Sequence, residues 1–259
     1  MEVLTPRSLD EALSLKAERP EAVPIQGGTD VMVELNFDRG RPPALLNLNE
    51  VSELRGHSRE NGTVRLGSGL SYTEAMGLAE PLLALAEASR TVGGPQIRNR
   101  GTIGGNLGTA SPAGDALPPL LAYGAEVELA STRGSRTVPL REFLVGPKRN
   151  TLEPDELIVA ARVPAPGPRQ TFMKVGPRNA MVIAVVSLAV VVDGDELRAS
   201  YGSAGPVPGL VTAPIEERDS FPEQVAEAAS PIDDVRGTAR YRRHALRVLT
   251  ERALERSLA

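Results

Sequence analysis

The sequence contains no cysteine, and this absence excludes more chemistry than any other feature of the composition. Without a thiol the chain can form no disulfide, no cysteine-ligated zinc site, no iron–sulfur cluster of its own and no thiol nucleophile. Histidine is nearly absent as well. His57 and His244 lie far apart and no HExxH-type spacing accompanies them, so no metal site is predicted. Any redox chemistry on this chain therefore requires an organic cofactor.

Charge and hydropathy exclude further classes of protein. The formal net charge of −4 does not favour a nucleic-acid partner. The longest apolar run, residues 180–192, is too short to cross a bilayer, which takes about 20 residues. The first residues do not read as a signal peptide. We therefore expect a soluble, cytoplasmic protein.

The order of predicted elements indicates an α/β (α+β) fold. Ser8–Glu11 and Ser71–Glu74 are capping boxes that open helices, the first of which stops before Pro20. The chain is predicted to end in a helix over 238–258, with Tyr241, Leu246, Leu249, Ala253 and Leu258 on one face. The other predicted helices are 31–36, 81–89 and 116–122, and the strands are 1–4, 22–25, 44–48, 63–68, 126–130, 137–140, 156–163, 172–175, 180–192 and 197–203.

Residues 165–168 read Ala-Pro-Gly-Pro and have the composition of a linker. We therefore predict a domain over 1–165 and a smaller one over 166–259.

Two glycine-rich segments are candidates for binding a phosphate group. GGTD at 27–30 lies where a strand ends and a helix begins, so its backbone N–H groups can face an anion. QIRNRGTIGGN at 96–106 adds small residues and polar donors, which let a pyrophosphate approach the backbone closely. The first segment is equally consistent with a plain turn capped by Asp30. Arg98 and Arg100 are equally consistent with exposed salt bridges. Neither segment is a GxGxxG or P-loop motif.

Asp115, at the end of ASPAGD (110–115), allows two interpretations. Its carboxylate could accept hydrogen bonds from the ribityl hydroxyls of a flavin. It could also cap the helix that follows, which is the more ordinary role for an aspartate before an apolar run.

Taken in order, these motifs closely resemble the FAD-binding (medium) subunits of the xanthine dehydrogenase and carbon monoxide dehydrogenase family, the molybdenum hydroxylases. The resemblance covers essentially the whole chain. It rests on GGTD at 27–30, QIRNRGTIGGN at 96–106, ASPAGD at 110–115, TLEPDEL at 151–157, FMKVGPR at 172–178 and Tyr241-Arg-Arg at 241–243.

The resemblance implies a two-lobed FAD-binding PCMH-type domain over 1–165 and a CO dehydrogenase flavoprotein C-terminal-like domain over 166–259. Both glycine-rich loops would hold the FAD pyrophosphate, Thr109 and Asp115 would lie near the ribityl and flavin portions, and Ile158 and Lys174 would approach the isoalloxazine. A lysine there stabilises anionic reduced flavin by charge attraction. The cofactor-binding positions implied are Ile25, Gln26, Gly27, Gly28, Thr29, Asp30, Val31, Ile97, Thr102, Ile103, Gly104, Gly105, Asn106, Thr109, Asp115, Ile158 and Lys174.

The chain departs from the family pattern at two points. Val92 aligns with a position where some animal members place an aromatic residue against the flavin. Thr29-Asp30 replaces the His-Ser pair typical of the carbon monoxide branch, which favours xanthine- or aldehyde-type relatives. The cysteine-bearing insertion of members with an additional cluster is absent.

By resemblance, the expected function is electron transfer through FAD to NAD or another acceptor. Two [2Fe–2S] clusters would lie on a small partner subunit and the molybdopterin on a large one, in a dimer of heterotrimers. The hydroxylated substrate and the acceptor stay open, because the substrate pocket belongs to another chain. One alternative is a self-sufficient flavin oxidoreductase of the same superfamily. Another is an interaction subunit that has lost FAD.

Overall fold

A computed structural model describes residues 1–259. The first unit is a small parallel sheet with strand order β1-β3-β2. The Ser8 hydroxyl accepts the N–H of Glu11 and starts the first helix as predicted, but the Glu11 carboxylate accepts the N–H of Arg7 rather than that of Ser8. Only half of this capping box therefore forms. The elements are β1 (Glu2–Leu4), α1 (Leu9–Glu18), β2 (Val23–Ile25), α2 (Val31–Asn36) and β3 (Ala44–Asn47).

The second unit is built on an antiparallel sheet with strand order β4-β5-β10-β6-β7. Its last strand in sequence, β10, lies in the middle and carries a bulge between Ile158 and Ala160. The elements are β4 (His57–Glu60), β5 (Thr63–Gly67), α3 (Tyr72–Ala75), α4 (Ala79–Thr91), α5 (Pro95–Arg98), α6 (Ile103–Thr109), α7 (Leu117–Ala122), β6 (Glu126–Ser131), β7 (Gly134–Pro139), α8 (Leu140–Phe143), β8 (Leu144–Gly146), β9 (Arg149–Asn150) and β10 (Leu157–Pro164).

The predicted capping box at the start of α3 forms completely. The Ser71 hydroxyl accepts the N–H of Glu74 at 3.2 Å, and the Glu74 carboxylate accepts the N–H of Ser71 at 2.7 Å. These reciprocal bonds satisfy backbone donors that would otherwise lack partners. They hold the start of α3, including Tyr72, in a fixed position.

The C-terminal unit is a four-stranded antiparallel meander covered by two helices. The strand predicted from residue 180 begins only at Val186, because residues 180–185 form a loop. Neither the fourth strand nor the first of the two helices was predicted. The elements are β11 (Gln170–Val175), β12 (Val186–Asp193), β13 (Glu196–Gly202), β14 (Gly209–Pro214), α9 (Phe221–Ala228) and α10 (Ala239–Leu258).

The long helix α10 differs from its predicted face at one position. Leu246, Leu249 and Ala253 are buried, whereas Tyr241 is 47% exposed. Arg242 is buried instead, because its guanidinium donates to the Val185 carbonyl at 3.0 Å and to the Asp234 carboxylate. None of the helices is both long and apolar enough to cross a membrane.

The largest hydrophobic core spans the predicted domain boundary. It is formed mostly by residues of the second unit, but Phe172, Ala189 and Val191 of the C-terminal sheet belong to it. The buried amide of Gln170 strengthens the same junction, since its oxygen accepts the N–H of Ala84 and the Tyr123 hydroxyl. The two parts thus share the largest of the hydrophobic cores, and the division near residue 165 stays a prediction.

Candidate functional site

A cavity of about 320 Å³ opens between the parallel sheet and the antiparallel unit. Its size lies at the lower end of the range of small-molecule sites. The end of β2, the 27–30 loop, the start of α6 and the beginning of β10 form its wall. Most of the predicted site residues line it: Ile25, Gln26, Gly27, Gly28, Thr29, Asp30, Val31, Thr102, Gly104, Gly105, Asn106, Thr109 and Ile158.

Four predicted residues lie outside this wall. Ile103 is fully buried in the core, Ile97 is 40% exposed, and Asp115 and Lys174 pair with each other nearby. Several wall residues were not predicted: Val23, Pro24, Leu48, Ser68, Tyr72, Gly108, Asn150, Leu152 and Leu157. Of these unpredicted residues, Tyr72 alone had a signal in the sequence, because it lies within the Ser71–Glu74 capping box, which fixes its position. Its proximity to the second glycine-rich loop depends on the Ser71–Thr102 bridge, a contact distant in sequence.

The first glycine-rich loop presents a row of free backbone donors. The N–H groups from Gly27 to Val31 have no acceptor within the chain. Gly28 has a φ of +73°, a conformation that glycine adopts without steric cost. Consecutive unpaired amides in a tight turn form a concave site for an anion. The loop is therefore suited to a phosphate group.

The second glycine-rich segment contributes differently from expectation. The N–H of Ile103 donates to the Leu70 carbonyl, that of Gly104 to the Ser68 carbonyl and that of Gly105 to the Thr102 hydroxyl. These amides at the start of α6 are thus already satisfied. A Cβ on Gly104 would lie 2.5 Å from the Ser68 Cβ, so this glycine allows α6 to pack on the chain after β5.

The two loops pack directly against each other. A Cβ on Gly27 would lie 2.0 Å from the Arg100 carbonyl oxygen, so only glycine fits there. The Arg100 guanidinium donates to the Gln26 carbonyl at 3.1 Å. Arg98 donates to the carbonyls of Val92 and Gly93. Neither arginine forms the expected salt bridge, and both instead hold backbone segments around the site.

Asp30 does not cap α2. Its side chain makes no hydrogen bond to the helix, and it accepts the Thr109 hydroxyl at 2.7 Å. The first loop is thereby joined to the last residue of α6. The capping interpretation of Asp30 was wrong because a partner distant in sequence takes its carboxylate.

Asp115 is not a helix cap either. Helix α7 begins at Leu117 without a side-chain cap, while Asp115 pairs with Lys174 at 2.6 Å. Both side chains are buried, and the Lys174 ammonium also donates to the Thr91 carbonyl at 3.2 Å. Burial raises the pKa of the Asp115 carboxyl, and the positive charge of Lys174 opposes that rise. The pair joins β11 to the segment before α7.

Comparison with known proteins identifies the family. Residues 1–166 match the family described as the FAD binding domain in molybdopterin dehydrogenase. This chain belongs to that family. It is 31% identical to the xanthine dehydrogenase FAD-binding subunit of Escherichia coli O157:H7 over 275 residues, covering 97% of this chain and 94% of that one.

Two further relatives agree with this assignment. The carbon monoxide dehydrogenase medium chain of Afipia carboxidovorans is 30% identical over 278 residues, covering 98% of this chain and 95% of the relative. A solved structure of carbon monoxide dehydrogenase from Hydrogenophaga pseudoflava superposes with a TM-score of 0.91 at 26% identity, covering 100% of this chain and 97% of that one. The α/β fold and the family resemblance are thereby confirmed. The chain is an FAD-binding subunit of the molybdenum hydroxylase family, an oxidoreductase component whose own cofactor is FAD.

The cavity of this FAD-binding subunit has the donors and acceptors that a polar cofactor needs. Besides the free amides of the first loop, the Ser68 Oγ and Asn106 Oδ1 atoms are buried and have no hydrogen-bond partner in the chain. Both residues line the cavity. Buried polar atoms are nearly always hydrogen-bonded, so these two are available to a ligand with matching polar groups. FAD, with its pyrophosphate and ribityl hydroxyls, fits this requirement.

Proposed function

We propose that this FAD-binding subunit carries electrons between a [2Fe–2S] subunit and a terminal acceptor such as NAD⁺. Substrate hydroxylation then takes place at a molybdopterin on a separate large subunit. The absence of cysteine supports this division, because no iron–sulfur relay can be built on the chain itself. The observation that carries the proposal is the cavity between the glycine-rich loops, with its free amides and unpaired buried oxygens.

The same proposal gives each part of the cavity a role toward FAD. The amides of the 27–31 loop receive the pyrophosphate, since they form a row of backbone donors without acceptors in the chain. Ser68 and Asn106 bind polar groups along the ribityl chain. Ile158, at the bulge of β10, offers an apolar contact to the isoalloxazine. When bound, FAD supplies hydride and electron transfer at this ring.

Lys174 and Asp115 are proposed to lie at the edge of the flavin rather than in the cavity wall. The cation favours negative charge on the reduced ring, and the carboxylate holds the lysine in place at 2.6 Å. Because the two groups neutralise each other, the net effect on the flavin depends on their relative distances from it.

The arrangement of the C-terminal unit disfavours a self-sufficient oxidoreductase. Its sheet packs against α10 and also against α7 of the second unit, so both faces are covered. A substrate domain needs a pocket that faces the flavin, whereas no residue of this sheet lines the cavity. The retained glycine-rich loops disfavour a subunit that has lost FAD.

Gly108→Val tests the placement of FAD. A Cβ at Gly108 would lie 3.6 Å from the Ile158 Cδ1, an ordinary contact, so α6 accepts a side chain there. Both residues line the cavity, and the rest of the valine would occupy space that the cofactor needs. We expect the Kd for FAD to rise by at least about tenfold, or 1.4 kcal/mol, in fluorescence titrations of the apoprotein.

Gly40→Val is the matched control, because a Cβ there meets nothing within 4 Å and Gly40 lies outside the cavity. It adds the same side chain to the same protein and is expected to leave the Kd unchanged. Equal affinities of the two variants would place FAD elsewhere.

A further inference from the structure

Tyr72 differs from the other buried tyrosines in its hydrogen bonding. The Tyr123 hydroxyl donates to the Gln170 side-chain oxygen at 2.5 Å, and the Tyr201 hydroxyl donates to the Ala228 carbonyl at 2.9 Å. Tyr72 is only 5% exposed, yet its hydroxyl makes no hydrogen bond within the chain. A buried tyrosine hydroxyl usually has a partner. The Tyr72 hydroxyl is therefore free to bond to a group in the space that its side chain borders, which is the cavity.

The position of the Tyr72 ring is fixed by the second glycine-rich loop. The backbone N–H of Tyr72 donates to the Gly101 carbonyl at 3.1 Å. The ring covers the same residue so closely that a Cβ on Gly101 would lie 3.0 Å from the Tyr72 Cε2. The preceding residue, Ser71, forms a bridge with Thr102. These contacts orient the ring before any ligand binds.

The surroundings of Tyr72 keep its hydroxyl in the donor form. Burial raises the pKa of the phenol, and the negative charges of Asp115 and Asp30 raise it further. A phenol that does not ionise keeps its proton and can donate it to an oxygen acceptor. The phosphate and ribityl oxygens of FAD are such acceptors.

We propose that the Tyr72 hydroxyl donates a hydrogen bond to an oxygen of the ribityl–pyrophosphate portion of bound FAD, on the side of the cavity formed by the second glycine-rich loop. This inference rests on the proposed placement of FAD in the cavity. It adds a side-chain donor to that loop, where the amides of Ile103, Gly104 and Gly105 are occupied.

Tyr72→Phe removes the hydroxyl and keeps the ring against Gly101. In the full-length apoprotein we expect the Kd for FAD, measured by fluorescence titration, to rise about tenfold, which corresponds to 1.4 kcal/mol. The melting temperature of the apoprotein should not fall, because no bond within the chain is lost. Tyr123→Phe is the matched control. It removes a hydroxyl that bonds within the core, so it should lower the melting temperature and leave the Kd within about twofold.

The outcomes separate this inference from the placement of FAD. If Tyr72→Phe binds FAD as tightly as the unchanged protein while Gly108→Val binds weakly, the Tyr72 bond is wrong and the placement stands. If neither substitution weakens binding, both are wrong. A lower apoprotein melting temperature in Tyr72→Phe without a change in Kd assigns the hydroxyl a structural role and overturns the proposal.

Discussion

Single residues around the cavity owe their identity to contacts between distant segments. Glycine at positions 27 and 104 was expected to leave room for a phosphate, but the missing side chains face the Arg100 carbonyl and Ser68. The sequence indicates that these positions need glycine. It does not say which atoms a side chain there would contact, because that depends on how segments distant in sequence pack together. The same reason explains why Asp30 and Asp115 were taken for possible caps.

The Asp30–Thr109 bond is expected to hold the first loop in the shape that binds FAD. Thr109→Val keeps the volume of the side chain and removes the hydroxyl that Asp30 accepts at 2.7 Å. We expect the Kd for FAD to rise a few-fold, because one hydrogen bond worth roughly 1 kcal/mol is lost. Asp30→Ala removes the acceptor carboxylate and should have a comparable effect.

A double-mutant cycle decides whether the two residues act together. If the two residues act through the bond between them, the Kd of the combined variant should equal about that of the single variant that binds FAD less tightly. Additive losses, measured by the same titration, would show that each residue contacts the cofactor independently.

At the scale of helices and strands, local signals located most elements. Ser71 and Thr238 start α3 and α10 as side-chain caps, and both helices were predicted from those residues. Strand β14 and helix α9 were not predicted. The strand assigned to residues 180–192 began too early, because the apolar residues Met181 and Ile183 lie exposed in a loop. Hydrophobicity alone does not tell a buried residue from one that a loop leaves exposed.

The ion pair between β11 and the segment before α7 predicts a pH-dependent stability. Lys174→Met leaves Asp115 buried without its counter-charge, which typically costs about 3–5 kcal/mol. Burial raises the folded-state pKa of Asp115 above that of the unfolded chain, so a proton on this carboxyl stabilises the fold. That contribution is lost as the pH rises through the folded-state pKa. The variant should therefore be destabilised more at about pH 8 than at about pH 5, in urea unfolding of the apoprotein.

Lys148→Met is the control for this measurement. Lys148 pairs with Glu34 at 3.3 Å, but its side chain is 66% exposed, so its loss should cost at most about 1 kcal/mol with little dependence on pH. Adding Asp115→Asn to Lys174→Met should restore much of the stability by removing the buried charge. If that double variant is no more stable than Lys174→Met alone, the penalty lies in packing rather than charge.

For the molecule as a whole, the sequence was most informative about family and cofactor. The glycine-rich motifs occur in order along the chain, and relatives at 31% identity align with it over 97% of its length. Two features needed the structure, namely the shared core of the two predicted domains and the row of free amides in the 27–31 loop. Both depend on segments far apart in sequence.

The isolated chain with FAD should transfer electrons but hydroxylate nothing. A flavin can accept hydride from NADH and reduce an artificial dye, so weak NADH-dependent dye reduction is expected if NAD⁺ is the natural acceptor. Hypoxanthine, xanthine and aldehydes should not react, because the chain has no cysteine for clusters and no molybdenum centre is expected on it. Dye absorbance and product chromatography measure the two activities.

Turnover of any such substrate by the lone chain contradicts the assignment as a subunit. Absence of NADH oxidation would change only the proposed acceptor and leave the assignment as a subunit in place.

The shared core also sets the order in which the newly made chain can fold. Domains commonly fold one after another as the ribosome produces them, N-terminal first. Here the largest core stays open on one side until Phe172, Ala189 and Val191 have been made. At about 5–20 residues/s, synthesis from residue 165 to residue 191 takes on the order of seconds. Until the strands that carry these residues have emerged from the ribosome, the nascent chain exposes apolar surface of α4 and α7, so chaperone binding should be strongest for chains stalled before that point.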